Sequence, residues 1–156
     1  MVALIQRVRY ASVEVDGAAT GSIENGLVIF LGVHRADSKR EAEWIARKTS
    51  NLRIFDDQDG KMNLSINDVR GEALVVSQFT LYADVRRGNR PSFEPAAIPE
   101  KAEPLYELFV ELLDGYLETS VQCGVFGASM AVKLLNNGPV TLWVERMNET
   151  GEAKSV

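Results

Sequence analysis

Two hydroxyls stand three residues apart in Ser77-Gln78-Phe79-Thr80-Leu81, and either can in principle act as a nucleophile or polarise an ester carbonyl. Such a nucleophile needs a base, and the only histidine is His34. A serine hydrolase would need a serine and a carboxylate converging on it, and no Gly-x-Ser-x-Gly elbow occurs in the chain. Taken alone, His34 reads as a loop residue, and Ser77 and Thr80 as residues filling a strand. Cys123 is the single cysteine, so neither an internal disulfide nor a cysteine metal cluster can form, and it reads as an inert strand residue.

The acidic turn Asp56-Asp57-Gln58-Asp59-Gly60 is the place to test for a metal. If Gly60 were the glycine of a calcium loop, the first and twelfth ligands would be Phe55 and Ile66, which have no side-chain oxygen. No His/Glu pair has metal-ligand spacing on a helix, so no metal and no cofactor is expected. Arg86, Arg87 and Arg90 place three cations in five positions of a Gly- and Pro-containing loop, suited to phosphate contacts and equally to a solvated loop. Phe126 and Met130, four apart on an expected strand, share one face as core or as the wall of an apolar pocket.

Asn136-Asn137-Gly138-Pro139-Val140-Thr141 joins the apolar runs Ala131 to Leu135 and Val140 to Val144, and reads as a hairpin connection. Pro139 has no N–H for a ladder and keeps Gly138 out of the helical region. X-Pro bonds are where cis peptides are cheap, at roughly 5 to 6% in folded proteins, so these residues alone favour a trans turn.

The elements that must hold these groups follow from periodicity. Residues 2 to 9 and 11 to 15 are β-rich, with Asp16-Gly17 as a turn signal before Gly21-Ser22-Ile23. Leu27 to Val33 is a continuous apolar run, predicting a central strand covered on both faces. Ser38 with Glu41 forms a capping box, and Ala42, Ile45, Thr49 and Leu52 give a helix over about 38 to 51. Arg53 to Phe55 reads as a short strand, Met62, Leu64 and Ile66 as extended, and Ala73 to Tyr82 as a long strand. A second helix starts near Pro99, with Leu105, Leu108, Phe109, Leu112, Leu113 and Tyr116 on one stripe; Pro104 fits only in its first turn. Glu118 to Cys123, Val125 to Leu135 and Val140 to Arg146 read as three more strands. The expected fold is α/β, one strand-dominated domain over 1–156, a curled sheet or partial β-barrel with two helices and a polar, frayed tail over about 147–156.

At 46% apolar and 25% charged residues the composition is that of a globular protein. The apolar start is too short for a signal peptide and no run approaches a membrane span, which predicts a soluble, cytoplasmic protein. A net charge of −5 argues against coating nucleic acid over a wide face, so any such contact is local.

Four stretches then stand in order: Ser77 to Leu81, Arg87 to Phe93, Gly124-Val125-Phe126-Gly127-Ala128-Ser129-Met130, and Asn136 to Thr141. Together they resemble the motifs of the D-aminoacyl-tRNA deacylases, which remove D-amino acids from mischarged tRNA, and the match runs from the opening strand to Trp143. The resemblance implies a homodimer with a cis Gly138-Pro139 bond inserted into the partner's active site. There the motif acts as a chiral gate: its carbonyls hold the α-ammonium group and its main chain fills the space an L side chain needs. Exclusion of that kind admits glycine, so glycine mischarged on alanine tRNA is expected as a substrate too.

Carried over residue by residue, Ser77, Gln78, Phe79 and Thr80 become the catalytic stretch, with main-chain donors to an oxyanion. Phe126 and Met130 form an apolar pocket for adenine, Gly127 and Asn136 join them as substrate-binding residues, and Arg87 and Arg90 meet the acceptor end of the tRNA. No base accompanies Thr80, so assistance by the tRNA 2′-hydroxyl is favoured over covalent catalysis by Thr80. Two rivals stay open: a non-catalytic module binding RNA ends, and a small-ester serine hydrolase using His34.

Overall fold

A computed structural model describes residues 1–147. β1 (Val2–Val15) is the hub, antiparallel to β2 (Ala18–Ile23), β3 (Gly26–Gly32) and β8 (Ala131–Glu145). β3 continues in parallel to β6 (Glu72–Ser77), which is parallel to β7 (Val121–Cys123). Each parallel step needs a crossover, supplied by α1 (Lys39–Ser50) between β3 and β6 and by α2 (Pro99–Tyr116) between β6 and β7. The two helices pack together against the sheet.

The apolar run of β3 is explained by coverage of both faces. Leu27, Ile29 and Leu31 join the cluster beneath the helices, while Val28 and Phe30 join a second cluster within the curl. β6 divides likewise, with Ala73 and Val75 on one face and Leu74 and Val76 on the other. A Cβ at Gly21 would lie 2.9 Å from the Cys123 carbonyl oxygen, which shows how closely β2 approaches β7. The sheet is therefore nearly closed, a partial barrel with two helices as expected.

α1 begins where the capping box predicts. The Ser38 N–H donates to Glu41 Oε2 at 2.7 Å, and the Arg40 N–H donates to Ser38 Oγ at 3.3 Å. α2 begins at Pro99, so Pro104 lies in the second turn and not in the first. It is tolerated there because it faces solvent, whereas Leu105, Phe109 and Leu113 face the core.

Three expected strand boundaries change here. The strand expected over Ala73 to Tyr82 stops at Ser77, and a 3-10 turn occupies Phe79–Tyr82. The strand expected over Val125 to Leu135 begins only at Ala131, leaving Phe126 and Met130 in a loop. The short strand expected at Arg53 to Phe55 is β4 (Phe55–Asp56), paired with β5 (Met62–Leu64). In the turn between them Asp57 Oδ1 accepts the N–H groups of Lys61 and Asp59, both at 3.0 Å, which depresses its pKa.

The largest change concerns Asn136 to Thr141, which is no hairpin. β8 runs straight through it, paired with β1 on both sides: Val8 opposite Asn136, and Gln6 opposite Thr141. Asn137, Gly138, Pro139 and Val140 bulge out opposite Arg7 alone, and the Gly138-Pro139 bond is cis. A long β1 offers partners beyond the interruption, so the ladder resumes instead of reversing. The tail over 148–156 lies outside the described residues.

Candidate active site

Parallel strands open a crevice beyond their carboxyl ends, and here it lies past β3 and β6. A cavity of about 600 Å³ is bounded by Leu31, Val76 and Ser77 at the strand ends and by Phe126, Gly127, Ala128 and Met130 after β7. The Gln78 N–H donates to the Leu31 carbonyl at 2.8 Å as the last rung of the β3–β6 ladder, and the chain then winds into the 3-10 turn. That turn faces the amides of Phe79 and Thr80 away from any helical carbonyl, since the first N–H groups of a helix have no partner behind them.

The opposite wall is the segment from Phe93 to Pro99. It is tied down on both sides: Asp84 and Ser92 exchange backbone hydrogen bonds at 2.7 and 2.9 Å, Arg35 N–H donates to Pro95 O at 2.9 Å, and Ala97 N–H donates to Val33 O at 2.9 Å. Tyr106 supports the floor from α2, donating to the Val75 carbonyl at 3.0 Å and packing on Phe126 at 5.7 Å between ring centroids. Burial raises its pKa, so its hydroxyl stays protonated.

The polar side chains lining the cavity are those of Ser77, Gln78 and Tyr106; no carboxylate, imidazole or amine is among the lining residues. Gln78 Nε2 donates to Thr80 Oγ1, and Thr80 lies outside the lining. His34 is outside as well. Its Nδ1 accepts the Ala36 N–H at 3.1 Å and its ring packs on Tyr82, while Asp37 is occupied by the His34 N–H and the Met1 amino group, each at 2.6 Å. Among the described residues no serine is hydrogen-bonded to His34, so they assemble no serine-hydrolase triad there. Burial raises the pKa of the Cys123 thiol, in keeping with its reading as inert.

The cavity thus gathers Ser77, Gln78, Phe79, Phe126, Gly127 and Met130 from distant parts of the sequence. It does not include the other expected residues. Gly138 and Pro139 are exposed and are not among the lining residues of the cavity. Asn136 closes the bulge: its Oδ1 accepts the Val140 N–H at 2.9 Å, and its Nδ2 donates to Thr141 Oγ1 at 3.0 Å. Arg87 and Arg90 lie on the exposed loop leading to Phe93.

Arg7 was missed. It is 5% exposed and donates to Asn137 O at 3.0 Å, Ile54 O at 2.7 Å and Asp56 Oδ1 at 3.1 Å. Its signal lay in the alternation of β1, where an arginine follows Ala3 and Ile5 on the inward face. Phe93 and the 95–99 wall carried no periodic signal.

Comparison with known proteins gives this geometry a context. The sequence model of the family described as D-Tyr-tRNA(Tyr) deacylase matches residues 4–145. The chain belongs to this family. Among the deacylase family's curated members, the D-aminoacyl-tRNA deacylase of Salinibacter ruber is 58% identical over 146 residues, covering 94% of this chain and 97% of the relative. That of Fervidobacterium nodosum is 54% identical over 145 residues, covering 93% and 97%. A solved structure described as c-Myc DNA Unwinding Element Binding Protein superposes with a TM-score of 0.89 at 41% identity, covering 95% of this chain and all of that one. A probable eukaryotic D-amino acid tRNA deacylase has a TM-score of 0.76 at 14% identity, covering 92% and 97%, a likeness of fold.

Proposed function

We propose that this protein, acting as one deacylase domain, hydrolyses the ester between a D-amino acid and the 3′-terminal adenosine of tRNA, in the cytoplasm where aminoacyl-tRNA is used. The observation that carries this reading is the cavity that joins Ser77 to Phe79 with Phe126 to Met130, in a chain 58% identical to a curated D-aminoacyl-tRNA deacylase. Its mostly apolar lining suits adenine, and the amides of Phe79 and Thr80 suit the oxyanion of the tetrahedral intermediate.

A cavity lined by no ionisable base favours catalysis in which the enzyme positions and stabilises, and the 2′-hydroxyl of the terminal ribose assists the attack of water. Water adds to the ester carbonyl, the oxyanion collapses, and the 3′-oxygen leaves with a proton. Covalent catalysis by Thr80 is disfavoured because its hydroxyl is bonded to Gln78 and lies outside the lining.

The stereochemical gate in this reading is Gly138-Pro139, presented to the cavity of a second copy of the chain. Three features support it: the segment is exposed, it is anchored from behind by Arg7 and Asn136, and it stays outside its own cavity. β8 is an edge strand of 15 residues with Leu135 and Trp143 more than half exposed, a surface suited to burial in a homodimer. Glycine on alanine tRNA would pass such a gate. The decay of D-, L- and glycyl-tRNA measured with purified protein and a chelator is the test. D-specific decay supports the reading; no decay beyond the uncatalysed rate favours an RNA-end-binding module.

A further inference from the structure

Phe79 and Phe93 stand at the rim of the cavity, 56% and 37% exposed, with ring centroids 5.0 Å apart and planes at 73°. An edge-to-face pair uses one face of one ring, so open ring faces remain beside the exposed Ile98. Clustered exposed apolar groups on an otherwise charged surface mark a binding site. Both residues stand on backbone that local structure fixes: Phe79 sits on the 3-10 turn, and Phe93 lies between the Asp84–Ser92 bridge and the anchored residues Pro95 and Ala97.

A second aromatic pair, Tyr106 and Phe126, lies deeper, with ring centroids 5.7 Å apart. The cavity of about 600 Å³ is of the size that takes one small ligand, here one aminoacyl nucleoside, and the outer pair is left for whatever continues past it. The loop running into Phe93 carries Arg87 and Arg90, so cations suited to phosphate and a ring suited to a base share one tethered segment.

We propose that Phe79 and Phe93 form a stacking site for the nucleobase preceding the terminal adenosine; this rests on the deacylase reading of the cavity. The side chain of Phe79 is then a binding group in addition to its main-chain amide. Stacking on an aromatic face tolerates any base, so the site adds affinity for a single-stranded 3′ end without reading its sequence.

Three esters of one D-amino acid test this: on adenosine, on cytidylyl-adenosine, and on the same dinucleotide with an abasic 5′ residue. The wild-type protein is expected to gain about tenfold in kcat/KM from adenosine to cytidylyl-adenosine, and the abasic substrate, which keeps the phosphate, loses most of that gain. Phe93→Leu reduces the gain to the abasic level, and Phe93→Trp preserves it. An abasic substrate as good as the cytidine one overturns the proposal, as does an undiminished gain in Phe93→Leu. A Phe93→Leu change that alters preference among D side chains, with the gain intact, also overturns it and makes the rim an amino-acid contact. If none of the esters is cleaved while D-aminoacyl-tRNA is, stacking at this rim is overturned and the deacylase reading stands; if neither is cleaved, the deacylase reading itself has failed.

Discussion

The Arg7 Nε donates to the carbonyl oxygen of Asn137 at 3.0 Å, so the single β1 residue opposite the bulge is also its anchor. The same guanidinium reaches Ile54 O at 2.7 Å and Asp56 Oδ1 at 3.1 Å, tying the exposed Gly138-Pro139 segment to the loop that follows α1. Arg7→Ala leaves buried carbonyls without donors and is expected to cost about 2 kcal/mol or more in denaturant unfolding. Arg7→Lys keeps the charge but cannot span three acceptors, so D-over-L discrimination is expected to fall in it too. Discrimination equal to wild type in both variants would contradict the anchoring role.

Gly138 has φ +133°, and a Cβ there would lie 2.8 Å from Val140 Cγ2 and 3.0 Å from Arg7 Nη2. Gly138→Ala therefore displaces either the bulge or its anchor. Its expected signature is a fall of at least tenfold in the ratio of D- to L-aminoacyl-tRNA hydrolysis, on the order of 1.4 kcal/mol. An unchanged ratio removes Gly138 from the gate.

Thr80 Oγ1 is an acceptor for Gln78 Nε2 and contributes no surface to the cavity. Thr80→Ala is expected to keep kcat within about tenfold of wild type, the scale of a lost positioning contact and far from that of a lost nucleophile. Abolished turnover with tRNA binding intact would restore the covalent mechanism.

His34 has a pKa lowered mainly by burial. The unfolded chain then takes up a proton near the ordinary histidine value of about 6.5 while the folded protein does not, so this group lowers stability as the pH falls below that value and has no effect above it. His34→Gln should flatten the part of the acid unfolding profile just below pH 6.5 and leave deacylation within about twofold, since the ring is not among the cavity's lining residues. Loss of activity in His34→Gln would revive the serine-hydrolase alternative.

Leu135 and Trp143 are 56% and 53% exposed on the long edge strand β8. Leu135→Asp and Trp143→Asp are expected to shift the protein from dimer to monomer in sedimentation analysis. If the gate is donated in trans, activity falls in step with the dimer fraction. A wild-type protein that sediments as a monomer at working concentration would remove the trans gate.

Much of the architecture is legible residue by residue. The capping box at Ser38 and Glu41 fixes the start of α1, and the unbroken apolar run of β3 states that both of its faces are covered, because these depend on neighbours in the chain. The two helices and the curled, strand-dominated sheet follow. Two of the four motifs, Ser77 to Leu81 and Gly124 to Met130, supply cavity residues and Phe93 ends a third, whereas Asn136 to Thr141 lies outside the lining. Ser77 to Leu81 has the composition of a strand, yet the ladder to β3, a partner far away in sequence, makes its last bond at Gln78 and the chain then turns.

The sequence by itself determined the two helices, most of the strands, the family resemblance and the presence of one histidine and one cysteine, because local propensity, motif order and composition are properties of the chain alone. Tertiary structure decided that Asn136 to Thr141 is a bulge inside one strand, that Phe126 and Met130 line a cavity from a loop, and that Arg7 holds the Gly138-Pro139 segment. The physical reason is the same in each case. Those outcomes depend on which distant groups the fold brings together; for the bulge, the 14-residue β1 pairs with β8 on both sides of the interruption, so the ladder resumes.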